Sequence, residues 1–166
     1  MNLVIHDLDA RSLKAMVPDL KADRVIGPDK NIRHCVGCYG CWIKTPGKCV
    51  LSDAHNDMAQ LLGQSERVTI VSRCVYGSYS PFVKTILERS IPYLHPCFTV
   101  KNGLMRHKDR YEKKFILDVV FYGEGISAEE EETARELVAA NASNMGATLG
   151  ELRFTGNSPA KEREAQ

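Results

Sequence analysis

Four cysteines in one short stretch are the residues most able to do chemistry in this chain. Cys35, Cys38, Cys41 and Cys49 lie within HCVGCYGCWIKTPGKCV at the spacing C-x2-C-x2-C-x7-C. A thiolate is a soft, anionic ligand, and four of them, three on a compact loop and a fourth nearby, can surround a cubane [4Fe-4S] cluster. Two other readings stay open on spacing alone. The thiols could bind zinc, which more often uses two separated C-x2-C pairs, or cycle as a dithiol pair. They could equally be small buried thiols packed in a loop without metal. Gly37 and Gly40 allow backbone amides close to sulfur, and Trp42 either shields a cluster or pins the loop. His34 reads as a capping or surface histidine and Cys97 as packing. Cys74, at the carboxyl end of an apolar strand, is a further functional candidate.

Composition narrows the setting. Among 166 residues, 22 Lys and Arg face 21 Asp and Glu, a net charge of +1. No single-sign field is available to draw in nucleic acid or an anionic membrane. The opening MNLVIHDLDARS has neither the basic start nor the long apolar centre of a secretory leader. No apolar run approaches the roughly 20 residues of a spanning helix. A cytoplasmic protein is expected, and a reducing compartment favours metal or redox roles for clustered cysteines over bridges. A chain this long can bury about 70 % of its unfolded surface around one core, so one domain over 1–156 is expected, with a polar, disordered tail at 157–166.

The elements that must position these residues alternate. NLVI and RVIG read as short strands flanking a helix with Leu13, Met16 and Val17 on one face. SDAHNDMAQLLGQ predicts a helix capped by Ser52 or Asp53 and ended by Gly63. RVTIVS follows as a buried strand. YSPFVKTILERSIP predicts a helix capped by Ser80, with Pro81 in its first turn and Phe82, Val83, Ile86, Leu87 and Ile91 on its apolar face. KKFILDVVFYG reads as a central strand in which only Asp118 is dissonant. SAEEEETARELVAANASNMG opens on a capping box, Ser127 with Glu130, and closes at Gly146. TLGELRF completes the series as an edge strand. Strand and helix alternating five times predict a parallel sheet with helices on both faces. Sites in such sheets form beyond the carboxyl ends of the strands, which singles out HDLDARS, SRCVYGSYS and YGEGIS.

Three stretches carry a family resemblance: CVGCYGCWIKTPGKCVLSD, VTIVSRCVYGSYSPFVKTILERS and NGLMRHKDRYEKK. The chain resembles the flavodoxin-like NAD(P)H-dependent FMN reductases, and within them the iron-sulfur flavoprotein branch. The resemblance implies a flavodoxin-like three-layer α/β sandwich with a five-stranded parallel sheet of order 2-1-3-4-5. It implies FMN against the loop after the third strand, where Ser72, Arg73, Val75, Tyr76, Gly77 and Ser78 stand. Gly123 and Gly125 would supply the second wall. NAD(P)H or a protein would be the electron donor, and a homodimer the assembly. The first loop departs from the family pattern. In place of residues that hold the FMN phosphate on backbone amides, it carries Asp7 and Asp9, with only Arg11 and Ser12 to help. Capping of the first helix is the plain reading of these acids. KNGLMRHKDRY reads as a solvated basic connection, or as a cover for the flavin or a second subunit that brings His107 near the cofactor. No general acid or base stands out. The leading expectation is an FMN-dependent oxidoreductase or electron-transfer flavoprotein with a possible four-cysteine iron-sulfur centre. The alternatives are an iron-sulfur carrier without flavin, or a cofactor-free binding module.

Overall fold

Five apolar segments pair in parallel and set the frame. The computed structural model describes residues 1–101 and 103–156, so the expected tail at 157–166 lies outside the described residues. In chain order the elements are β1 (Asn2–His6), α1 (Ala10–Met16), β2 (Arg24–Ile26), α2 (Gly40–Ile43), α3 (Met58–Gln64), β3 (Arg67–Arg73) and α4 (Pro81–Arg89). A 3-10 turn at Ile91–Tyr93 leads to β4 (Leu94–Lys101), β5 (Leu104–Asp109), β6 (Ile116–Tyr122), α5 (Ala128–Met145) and β7 (Thr148–Thr155). The sheet order is β2-β1-β3-β6-β7, and every pairing in it is parallel. β4 and β5 form a separate antiparallel hairpin.

Alternation along the strands divides the core unequally. Leu3 and Ile5 of β1, Val68 and Ile70 of β3, and Leu117, Val119 and Phe121 of β6 face one side. There α3, α4 and α5 bury Met58, Leu62, Val83, Ile86, Ala134 and Val138. Each of these side chains other than Ala134 contributes roughly 1.5–3 kcal/mol on leaving water. On the other side Leu8, Val71, Val120 and Tyr122 are covered by Leu13, Met16 and Val17 from α1 and its end. Among the described residues the second helical layer is therefore one short helix, thinner than the expected three-layer arrangement.

Local chemistry explains most boundaries. Ser80 Oγ accepts from Val83 N, Pro81 opens α4, and the helix stops at Ser90, short of Pro92. In α5 both halves of the Ser127–Glu130 capping box are made, and Gly146 at φ 62° ends it. The helix expected from Ser52 or Asp53 starts later, at Met58, because Asp53 is engaged elsewhere; Gly63 lies inside it. A Cβ on Gly63 would stand 2.5 Å from the Tyr111 ring, so the glycine is there for close packing and not for termination. The basic segment read as a solvated connection is the β4–β5 hairpin, in which Lys101 pairs with Leu104 across a turn containing Gly103 at φ 77°.

Asp118, the dissonant residue of the central strand, has two partners. Its Oδ1 accepts from Glu151 N at 2.8 Å, where the β6–β7 register shifts, and its Oδ2 pairs with Arg67. A carboxylate thus satisfies a backbone amide that the irregular ladder leaves over. Asp118→Ala should cost about 1–3 kcal/mol by stranding that amide, lowering Tm by about 2–4 °C per kcal/mol. Thermal unfolding with no shift would refute this role.

Candidate functional site

The long segment between β2 and α3 has little regular structure, and a buried arginine holds it. Arg89, at the end of α4, is 1 % exposed. Its Nη1 and Nη2 donate to Asp53 Oδ2 and Oδ1 at 2.6 and 2.8 Å, Nη1 also to Arg33 O at 2.6 Å, and Nε to Cys49 Sγ at 3.1 Å. This fork is the planar, bidentate geometry for which arginine is suited. The Arg89 bonds hold the Asp53 carboxyl far below the usual carboxylate range, against the opposing effect of burial. His34 also ties the segment to α4, through Nδ1 and Thr85 Oγ1 at 3.0 Å, so it acts as an anchor.

Around this brace the four cysteines line one cavity of about 380 Å³, with Val36, Trp42, Val50, Leu51, Ile91 and Pro92 among its mostly apolar walls. Cys41 is buried, Cys49 half-buried, and Cys35 and Cys38 exposed. Burial pushes the Cys41 thiol up, and negative charge on Cys49, Cys35 and Cys38 pushes it further, which reflects the proximity of the four sulfurs. No group of three His, Cys, Asp or Glu side chains is gathered into a metal site among the described residues. Gly37 adopts φ 63°, and a Cβ on Gly40 would meet Val50 at 2.8 Å, so both glycines are needed by this loop. Trp42 lines the cavity and is pinned, its Nε1 donating to Leu94 O at 3.0 Å. His107 lies 5.5 Å from the Trp42 ring and 4.5 Å from Phe98, with Nδ1 2.8 Å from His95 O. It therefore belongs with the cysteine loop. Cys97, expected to be packed, is exposed on the hairpin.

A second cavity, of about 320 Å³, opens at the carboxyl ends of β3 and β6, lined by Arg73, Cys74, Val75, Tyr76, Gly123, Glu124, Ile126 and Glu130. Val75 and Ser78 exchange both backbone hydrogen bonds, at 2.9 and 3.0 Å, and close a tight turn. The turn sets Tyr76 at φ 51° and leaves it 88 % exposed. Gly77, at φ 70°, packs so closely that a Cβ would stand 2.6 Å from Thr133. Ser72 is fully buried and structural: its Oγ accepts from Ser80 N at 2.9 Å and donates to Arg73 O. Gly123 N donates to Thr155 O, and Gly125 turns at φ 68° outside the lining. Sequence reasoning singled out the YGEGIS loop that holds Glu124 and Ile126 but read Glu130 only as part of a helix cap, and it missed Arg89 and its pairing with Asp53 beside the cysteine cavity.

Comparison with known proteins agrees with this architecture. No protein-family model matches the chain. It is similar to an iron-sulfur flavoprotein of Archaeoglobus fulgidus, 30 % identical over 88 residues, which cover 53 % of this chain and 39 % of that protein. The chain thus matches less than half the length of that relative. An azoreductase from Bacillus anthracis superposes with TM-score 0.55 at 13 % identity, over 92 % of this chain and 85 % of that one. An FMN-dependent NADH-azoreductase of the same species, in complex with FMN, gives 0.52 at 9 % identity, over 95 % and 89 %. The fold is flavodoxin-like.

The residues at the two ends of a bound FMN can then be tested separately. At the ring end, the cavity sets Tyr76, Val75 and Ile126 beside the charged Arg73, Glu124 and Glu130, and its lining is more polar than apolar. At the phosphate end the residues do not fit. Asp9 caps α1 and takes both the amide of Ser12, at 2.9 Å, and its hydroxyl, at 2.6 Å. Asp7 fills the gap between strand ends, accepting from Arg73 N at 3.0 Å and Tyr122 Oη at 3.1 Å. Ser12 is therefore committed to a carboxylate, and Arg11 is exposed.

The brace makes two demands that can be measured. Arg89→Ala strands the Asp53 carboxylate and should cost about 3–5 kcal/mol, with Arg89→Lys recovering only part of it for want of the fork; equal stability of Arg89→Ala and the parent in urea would refute it. Because the folded carboxyl value of Asp53 is depressed, its contribution is complete above the unfolded value near 4 and lost as pH falls below it. Asp53→Asn should therefore flatten the acid limb of the stability curve below about pH 4.

Proposed function

We propose that this protein is an electron-transferring oxidoreductase of flavodoxin-like fold whose redox group is an iron-sulfur centre ligated by Cys35, Cys38, Cys41 and Cys49. The observation that carries the reading is that all four cysteines line one apolar cavity fixed to the core by a buried arginine. The relative named as an iron-sulfur flavoprotein supports it. Four thiolates are the donor set such a centre takes, and when bound it supplies single-electron transfer.

This chain's own residues would prepare the site. Arg89 Nε, donating to Cys49 Sγ, orients the sulfur. Trp42 and the walls from Val36, Ile91 and Pro92 restrict water around the sulfurs. The exposure of Cys35 and Cys38 leaves one side open for entry of the metal and for electron exchange. A reduced nicotinamide or a protein would be the donor, and a homodimer and a cytoplasmic setting remain part of the proposal; no helix among the described residues is long and apolar enough to cross a membrane.

A flavin at the ends of β3 and β6 is the second reading, favoured by the cavity found there. The cysteine cavity is lined by Glu88 and Arg89 at the end of α4, and the other by residues 73–76 of the loop that precedes that helix.

The test is metal analysis of protein isolated without oxygen or reconstituted with iron and sulfide. About four iron and four sulfide per folded chain are expected, with a broad brown absorption that Cys38→Ser and Cys49→Ser each abolish while the far-UV spectrum is retained. Iron-free protein after reconstitution, with all four thiols titratable, would overturn the reading.

A further inference from the structure

The cavity at the carboxyl ends of β3 and β6 has an unusual charge for its place in this fold. Its wall carries Glu124 and Glu130 against one cation, Arg73. Asp7 sits on the strand ends beside it, bonded to the amide of the lining residue Arg73 and to Tyr122, the residue before the lining Gly123. Burial and then Asp7 push the Tyr122 hydroxyl upward, and Asp9 adds to the effect, so both aspartates act on this corner. Asp9 is held in its charged form by the Ser12 hydroxyl and amide. A phosphate dianion here would face like charge from Glu124, Glu130, Asp7 and Asp9.

The same cavity has features of a built binding wall. Tyr76 is a non-glycine residue in the left-handed region, held there by the doubly bonded Val75–Ser78 turn, and its ring is presented to solvent. A strained, exposed aromatic beside a cavity is the arrangement that pre-organises a stacking face. Cys74 and Ile126 add apolar surface to the same cavity.

We propose that this cavity binds a planar heteroaromatic ring of the flavin class without a phosphate, and that Asp7 and Asp9 act as selectivity residues that reject the phosphorylated form. The inference stands apart from the cysteine centre, since none of these residues lines the cysteine cavity. It deepens the second reading above by specifying which form of the ring is taken.

The test is a fluorescence titration of the full chain with riboflavin and, separately, with FMN. Riboflavin should bind at least tenfold more tightly than FMN, and added salt should narrow the gap by screening. In the double variant Asp7→Asn with Asp9→Ser, which keeps acceptors for Arg73 N and a good helix cap, the two affinities should come within about threefold. Tyr76→Asn, which suits the left-handed backbone, should weaken riboflavin at least tenfold with the fold intact by circular dichroism. Binding of FMN as tight as riboflavin would overturn the proposal, and so would failure of riboflavin to bind. Neither result alters the iron content expected at the cysteines, so the two readings fail independently.

Discussion

The ion pair between Arg89 and Asp53 is the constraint on which the candidate centre depends. Burying a guanidinium costs several kcal/mol unless its donors are met, and here two carboxylate oxygens, backbone carbonyls and a cysteine sulfur meet them. The gain is organisational. A long segment with only one short helix of its own is fixed against α4 by the Arg89 fork and by His34, which lets four cysteines line one cavity. Removing either partner would leave a buried charge, so the loop and the core stand or fall together.

The same economy recurs at smaller scale. Asp118 spends its carboxylate on the amide freed where β7 slips against β6, and Asp7 spends its own on joining the ends of β3 and β6. In each case an acid in an otherwise apolar strand region replaces a backbone partner. At β1 the corner beside Arg73 and Tyr122 is held together by a carboxylate.

Much of this was legible in the sequence because it is local. The capping box at Ser127, the Ser80–Pro81 start of α4 and the five apolar strands declare themselves within a few residues, and the parallel sheet follows from their alternation. The hairpin of β4 and β5 turns at Gly103, yet its basic residues disguised it as a solvated connection. Asp53 has the local signature of a helix cap, and nothing nearby reveals a partner thirty-six residues away. Long-range pairing of that kind is what spacing cannot report. The cysteine spacing identified the four thiols as a set; only the fold supplies the arginine that anchors one of them, and only the fold brings Glu124 and Glu130 to the rim of the second cavity.

The central claim is that the four cysteines form a redox centre, and its most direct test is low-temperature electron paramagnetic resonance of the anaerobic, dithionite-reduced protein. The account predicts the signal of a reduced iron-sulfur cluster, integrating to about one spin per chain, altered by Arg89→Lys through the lost bond to Cys49. An iron-replete anaerobic preparation that gives no cluster signal before or after reduction would contradict it.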